Sequence, residues 1–329
     1  AGARLIALPE GSTSGFDFMH PGGPQPFHDT IPGRMTDALA EVADEFGCYI
    51  GVGIFEVEPA TGLKYNSAAL VGPDGLVGKY RKHGLNDFDQ LWAAPGNTGH
   101  PVWDTPYGRV SLIICYDDTY WEPARLSALK GADVVLYPCN SAQAITGPGE
   151  VLPGGHFTIA ATQEMCAWNG LALVGTDTTA AIMVPGRNLG MYGPGGAPIW
   201  APTGEKLAAA PLTPSTVGTD EPNVITYATI DPATFDNDQK RTLAWRRPDL
   251  YGNLALFRAP LDLHASKESH TVRAAAVQVE QFAGDRARCL QAVDEAVTPL
   301  EGDVDLVVFP AFTFTGPPAD ADGASTLAE

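Results

Sequence analysis

Cys115 ends an apolar run and opens a polar one. Residues 110–114 read Val-Ser-Leu-Ile-Ile, which predicts a short buried strand. Tyr116 and Asp117 follow at once, and 124–130 has helical character. A thiol at the C-terminal tip of a strand stands where open α/β sheets bind ligands. The N–H groups and dipole of the following helix would favour its thiolate. The ordinary alternative is a small buried hydrophobe, since free Cys is among the most buried residue types. Glu10 sits in a comparable place, just past the strand-like run 4–8 and Pro9. It is a candidate base or, more plainly, a solvated strand end. Lys82 comes at the end of the segment 76–81 that follows the tight turn 73–75; with Lys79 and Arg81 it could form a wet basic edge, and spacing alone does not single it out. Cys139 and His156 read as packing or supporting residues rather than catalysts.

The elements that must position these residues alternate. The spacing predicts a helix over 35–46, with Met35, Leu39, Val42 and Phe46 on one face and Gly47 as its stop. Strands are expected over 49–57, 64–71, 133–137, 171–174 and 224–230, with two more inside 192–206 and a helix over 157–168. Segments 11–26 and 211–223 read as loops. Strands and helices alternating in this way favour a layered α/β fold over a bundle or a sandwich of sheets alone. The 329 residues are 44% hydrophobic and 18% charged, which fits a globular chain. A formal charge of −19, from 20 basic and 39 acidic residues, leaves no basic cluster for nucleic acid or an anionic membrane. No run of 18 apolar residues predicts a membrane span, and 1–10 lacks the features of a signal peptide. Five scattered cysteines have neither Cys-x-x-Cys nor zinc-ligand spacing. A reduced, cytoplasmic enzyme working without metal or cofactor is the expectation.

Set side by side, several motifs resemble the nitrilase (carbon–nitrogen hydrolase) superfamily. They are Leu8-Pro9-Glu10-Gly11, Gly78-Lys79-Tyr80-Arg81-Lys82-His83 and Ile113-Ile114-Cys115-Tyr116-Asp117. Glu122-Pro123-Ala124-Arg125, Gly131-Ala132-Asp133 and Arg246-Arg247-Pro248-Asp249-Leu250-Tyr251 follow in family order. The resemblance covers residues 3–257. It implies an α-β-β-α sandwich in four layers, paired into an eight-layer homodimer or a larger spiral or filament. It also implies Glu10 as general base, Cys115 as nucleophile and Lys82 as oxyanion stabiliser. The substrate would be a small amide, N-carbamoyl compound or nitrile, and the Cys-Tyr-Asp sequence resembles the amidase and carbamoylase branches. Many members carry a second glutamate between the lysine and the cysteine. This chain has none between 83 and 114, and Asp89 sits nearest that place. Tyr116, Trp121, Asn140 and Ser141 are candidates for the substrate pocket, with packing as the alternative for the aromatics.

The end of the chain repeats its beginning. Residues 304–316 match 3–15, with Ala311 opposite Glu10, and 272–277 and 284–300 read as a preceding strand and helix. The expected organisation is a catalytic domain over 1–258 lacking the family's first strand and helix, and a linker over 259–270. Residues 271–329 would then open a second, degenerate copy in a tandem chain, or dock on the first; 319–329 reads as disordered. A catalytically degenerate subunit with an assembly role is the main alternative to an enzyme. Acyl transfer to an amine is a weaker one.

Overall fold

In the computed structural model of this chain the described residues are 2–12, 28–141, 143–147, 150–151, 157–183, 190–210, 224–252, 254, 271–311 and 313. They fall into two units, 1–247 and 248–329.

Period-two alternation builds the first sheet. β1 (Leu5–Ala7), β2 (Tyr49–Val57), β3 (Lys64–Gly72) and β4 (Gly75–Arg81) lie side by side in that order. β1 runs parallel to β2, and the other pairs are antiparallel. Val52, Ile54, Ala69 and Val71 take one face, where Met35, Leu39 and Ala40 of helix α1 (Arg34–Phe46) pack on them. Ala68, Leu70 and Tyr80 take the other face and enter the main core. Gly47 ends α1 in the left-handed conformation, φ 59°, as its position after the periodic run predicts.

The second sheet is built from β5 (Val102–Thr105), β6 (Gly108–Leu112), β7 (Val134–Tyr137), β10 (Ala172–Gly175), β13 (Pro198–Trp200) and β14 (Lys206–Ala209). Their order is β14-β13-β10-β7-β6-β5, with β6, β7 and β10 mutually parallel. Helix α2 (Glu122–Leu129) connects β6 to β7, and α3 (Phe157–Asn169) leads into β10. Ala124, Ala128, Met165 and Cys166 join Leu112, Val134, Leu136 and Leu173 in the same core as Ala68 and Leu70. Each fully buried Leu or Ile there contributes roughly 1.5–3 kcal/mol. The layers are therefore α1, first sheet, second sheet, then α2 with α3: the expected α-β-β-α sandwich. Glycines let the sheets approach: a Cβ at Gly51 would come within 2.8 Å of the Leu136 side chain, and one at Gly78 within 2.3 Å of the Trp103 Nε1. A smaller sheet, β11-β12-β8-β9, forms from β8 (Gln143–Gly147), β9 (Glu150–Val151), β11 (Thr179–Met183) and β12 (Gly190–Pro194).

Residues 224–230 are not a strand. Val224, Ile225 and Tyr227 have the β-prone composition, yet all three are exposed and no strand among the described residues pairs with them. Propensity without a neighbouring ladder does not make a strand. The expected loop at 211–223, most of that at 11–26, the linker at 259–270 and the tail at 319–329 lie outside the described residues.

The second unit contains β15 (Ala274–Ala276), helix α4 (Arg286–Val297) and β16 (Leu306–Val308). The two strands pair in parallel, Ala274 opposite Leu306. Asp285 caps the helix by accepting from the Arg288 N–H at 3.1 Å. Among the described residues no helix is long and apolar enough to cross a membrane.

Candidate active site

Several strands of the first unit end at one place. Glu10 lies three residues past β1, in a turn packed on β2 and almost fully buried. Gly53 permits that packing: a Cβ there would come within 2.5 Å of the Glu10 Cα and 2.7 Å of the Pro9 oxygen. Lys82 directly follows β4 and is completely buried. Strand alternation explains why it differs from its neighbours. Lys79 and Arg81 turn to the face where Glu56 binds both, at 2.5 Å each, whereas Tyr80 and Lys82 turn inward. The basic run is therefore not a wet edge. Asp89 begins a short 3-10 turn, Asp89–Leu91, and is also fully buried.

Cys115 arrives along β7. Beyond the end of β6, the Ile113 and Cys115 N–H groups donate to Leu136 O (3.4 Å) and Pro138 O (3.0 Å). At Cys115 the backbone switches to φ 42°, the one positive φ of a non-glycine residue among those described. A left-handed L-residue costs about 1–2 kcal/mol, so something must hold it. Asp117 does so. Its Oδ2 accepts from the Ile114 N–H and the Tyr80 hydroxyl, both at 2.9 Å. Its Oδ1 accepts from the N–H groups of Gly84 (2.7 Å) and His83 (3.2 Å), which tie the cysteine turn to the loop after Lys82. A 3-10 turn, Cys115–Thr119, follows directly, and α2 begins only at Glu122. The expectation that the thiol faces the N-terminus of that helix is thereby corrected.

Lys82 joins the acids. Its Nζ donates to Glu10 Oε1 at 2.8 Å and to Asp89 Oδ2 at 2.7 Å. Asn66 bridges the same pair through Nδ2, to Glu10 Oε1 at 2.7 Å and Asp89 Oδ1 at 3.0 Å. The Asn140 N–H donates to Glu10 Oε2 at 3.1 Å, and the Asn140 carbonyl accepts from Cys115 Sγ at 3.6 Å. Glu10 thus touches both the lysine and the segment against which the thiol rests.

Burial pushes the Glu10 carboxyl up; the Lys82 ammonium opposes this and the Asp89 carboxylate adds to it, leaving the group above its ordinary range. For Lys82 burial favours the neutral amine, but Asp89, then Glu10 and Cys115, outweigh it and hold the ammonium well above its usual range. At Cys115 a hydrogen bond with Cys139 favours the thiolate, yet burial and the Glu10 charge win and the thiol is raised. The sequence expectation of a thiolate favoured at rest is reversed. The site holds an ammonium, a thiol and a carboxylate that takes a proton more readily than usual, which suits chemistry in which deprotonation accompanies attack.

The remaining expected residues divide. Asn140 lies within the cluster, and its side chain accepts from the Thr178 hydroxyl at 2.7 Å. Ser141 bonds Asp177 through its N–H (3.0 Å) and its hydroxyl. Tyr116 is half-buried, edge-on to Tyr120 at 6.2 Å. Trp121 stands exposed before α2. His156 is outside the described residues. Sequence reasoning missed Asn66, which looked like any polar strand residue, and Asp117, which served only as a branch marker. It also missed Tyr137 and Asp118, whose side chains bond each other behind the Cys115 carbonyl. Among the described residues no three or more His, Cys, Asp or Glu side chains are grouped to hold a metal ion.

The sequence profile of carbon-nitrogen hydrolases matches residues 1–239. An omega-amidase of Bos taurus is 32% identical over 76% of this chain and 85% of its own. A nitrilase of Pyrococcus abyssi is 39% identical over 42% of this chain, and there the chain spans 53% of its relative, about half, as for several other curated relatives. Among solved structures, a carbon-nitrogen hydrolase from Helicobacter pylori G27 superposes with a TM-score of 0.63 at 25% identity, covering 77% of this chain and 86% of that one.

Proposed function

Because the chain belongs to the carbon-nitrogen hydrolase family, we propose that it hydrolyses a non-peptide C–N bond of an amide or N-carbamoyl compound through a thioester on Cys115. The observation that carries this reading is the fully buried Lys82, shared between Glu10 and Asp89 beside the thiol. Glu10 takes the thiol proton as Sγ attacks the carbonyl carbon. The ammonium has three N–H bonds, of which Glu10 and Asp89 occupy two, and the third meets the oxyanion together with the Tyr116 N–H. One such donor contributes about 3 kcal/mol to the transition state. Ammonia or an amine leaves with the proton that Glu10 returns. A water then gives its proton to Glu10 and its oxygen to the thioester carbon, which frees the acid and the thiol. Asp89 holds Lys82 in place, the work a second glutamate would do.

The same reading covers surroundings and assembly. Five free cysteines fit a reducing compartment such as the cytoplasm. Exposed Trp121, Leu126 and Leu129 around α2, with Trp168 on α3, suit a homodimer paired across these helices. Residues 271–329 are read as the opening of a second, degenerate copy, supported by the strand–helix–strand order of β15, α4 and β16 and by Ala311 opposite Glu10.

The test is release of ammonia or amine from a panel of small amides, N-carbamoyl compounds and nitriles, with Cys115→Ala as control. Release that disappears in the variant supports the hydrolase and identifies the bond it cleaves. A silent panel with folded protein, or release that survives in Cys115→Ala, overturns it.

A further inference from the structure

The second thiol, Cys139, has no part in the hydrolytic scheme, and its position is informative. β6 and β7 pair in parallel with Val110 opposite Val134, Ser111 opposite Val135 and Leu112 opposite Leu136. The ladder continues through the Cys115 N–H to Pro138 O at 3.0 Å. Carried forward in this register, Cys115 stands opposite Cys139. Neighbouring strands lie about 4.8 Å apart, inside the roughly 4.4–6.8 Å between Cα atoms that a disulfide spans. Cys115 leaves the ladder at φ 42°, its Sγ rests 3.6 Å from the carbonyl of Asn140, the residue after Cys139, and both cysteines belong to one buried cluster. Both are buried, Cys139 completely and Cys115 at 4% exposure. Cys48 lies in another cluster, Cys166 is on α3 in the same core, and in the second unit the Cys289 sulfur is bonded to the Phe282 backbone.

The geometry points to a hydroperoxide-responsive pair: Cys115 and Cys139 close a reversible disulfide that removes the nucleophile and that a thiol reopens. This rests on the reading of Cys115 as the residue that Glu10 deprotonates. The Cys115 thiolate attacks the distal oxygen of a hydroperoxide; the O–O bond breaks, the sulfur is oxidised to a sulfenic acid, and the departing alkoxide or hydroxide takes up a proton. The Cys139 sulfur then attacks the Cys115 sulfur. The S–O bond breaks, and hydroxide leaves with the Cys139 proton as water. Two thiols and one hydroperoxide become one disulfide, one alcohol (or water, from hydrogen peroxide) and one water. Two equivalents of a monothiol, or one of a dithiol, reverse the oxidation by exchange.

The experiment treats the full chain with a small excess of hydrogen peroxide and reads intact mass, non-reduced peptide maps and ammonia release before and after dithiothreitol. The expected result is the loss of two hydrogens, a linked peptide joining residues 115 and 139, and activity that falls at least tenfold and returns with dithiothreitol. Cys139→Ala and Cys139→Ser, both checked for folding by circular dichroism, are expected to gain oxygen on Cys115 that dithiothreitol does not remove once it passes the sulfenic stage. Oxygen gained on Cys115 in the unaltered chain with no linked peptide overturns the pair and leaves the hydrolase reading intact. A linked peptide in a chain whose ammonia release is independent of Cys115 sustains the pair as a thiol site but overturns its regulatory role together with the hydrolase reading.

Discussion

Replacing Asp89 with Asn removes one of two carboxylates around a buried ammonium with almost no change in shape. Glu10 Oε1 and Asp89 Oδ2 bond the same Nζ at 2.8 and 2.7 Å, so they are at most about 5.5 Å apart. At an effective dielectric near 20, unit charges at that distance repel by about 3 kcal/mol. The attraction of Asp89 for Lys82 acts in the opposite direction and is worth roughly 1.5–3 kcal/mol as a charged hydrogen bond. The two charge terms cancel in the variant, and its amide NH2 then faces one of the two donors, Lys82 Nζ or Asn66 Nδ2, so its stability in urea is expected to fall by only about 1–3 kcal/mol. The active site does not share that cancellation. Asp89 holds the Glu10 carboxyl up and the Lys82 ammonium up, so both groups titrate at lower pH in Asp89→Asn. The acidic and alkaline limbs of kcat/KM are therefore expected to shift to lower pH together. The optimum rate should fall on the order of a hundredfold, because Nζ loses one of the two groups that fix it and small misplacements at a reacting centre cost that much. The assay is ammonia release across the pH range, with stability followed in parallel. Limbs that stay in place, or move to higher pH, would refute the electrostatic coupling. A collapse in stability would refute the cancellation.

Three further outcomes follow from the same network. Burial pushes the Asp118 carboxyl up to about 8; the Tyr137 hydroxyl has one hydrogen for two oxygens at 2.9 Å, Cys115 O and Asp118 Oδ2, which a protonated Asp118 resolves by donating to it. The folded carboxyl then keeps a proton that the unfolded chain releases near its ordinary value of about 3.9. This contribution to stability declines as pH rises from about 4 to about 8, and Asp118→Asn should flatten the decline; equal slopes in urea titrations of both proteins would contradict it. Asn66→Ala leaves two buried carboxylates each short of a donor, so it should lose about 1–3 kcal/mol in chemical denaturation and lower kcat, and unchanged stability would argue against the bridge. Gly53→Ala places a methyl group 2.5 Å from the Glu10 Cα; kcat/KM is expected to fall by about a hundredfold, whereas full activity would mean that the Glu10 turn can move freely.

The local elements were legible because they depend on neighbours in the chain. Alternation over 49–57 and 64–72 and the 3.6-residue period of 35–46 made β2, β3 and α1 readable, as did the apolar runs that became β6 and β7. Where a segment's state depended on a distant partner, the reading failed: 224–230 has the composition of a strand, and no strand among the described residues pairs with it. β5 and, in the smaller sheet, β8, β9 and β11 were overlooked for the converse reason, their short segments being ordered by pairing rather than by pattern.

The sequence by itself determined which residue types were available for chemistry and that Glu10 and Cys115 each follow a strand. Order along the chain and period-two alternation are local properties, and these suffice to place a residue at a strand end or on one face. Only the tertiary structure decided which strand ends converge. It brought Asp89 and Asn66 onto Lys82 and Glu10, set Asp117 as the brace under the Cys115 turn, and set Cys139 opposite Cys115 in the register of β6 and β7. It also reversed the expected bias of the thiol. Burial and the sign of nearby charge set a proton affinity, and both are properties of three-dimensional surroundings that no spacing along the chain contains.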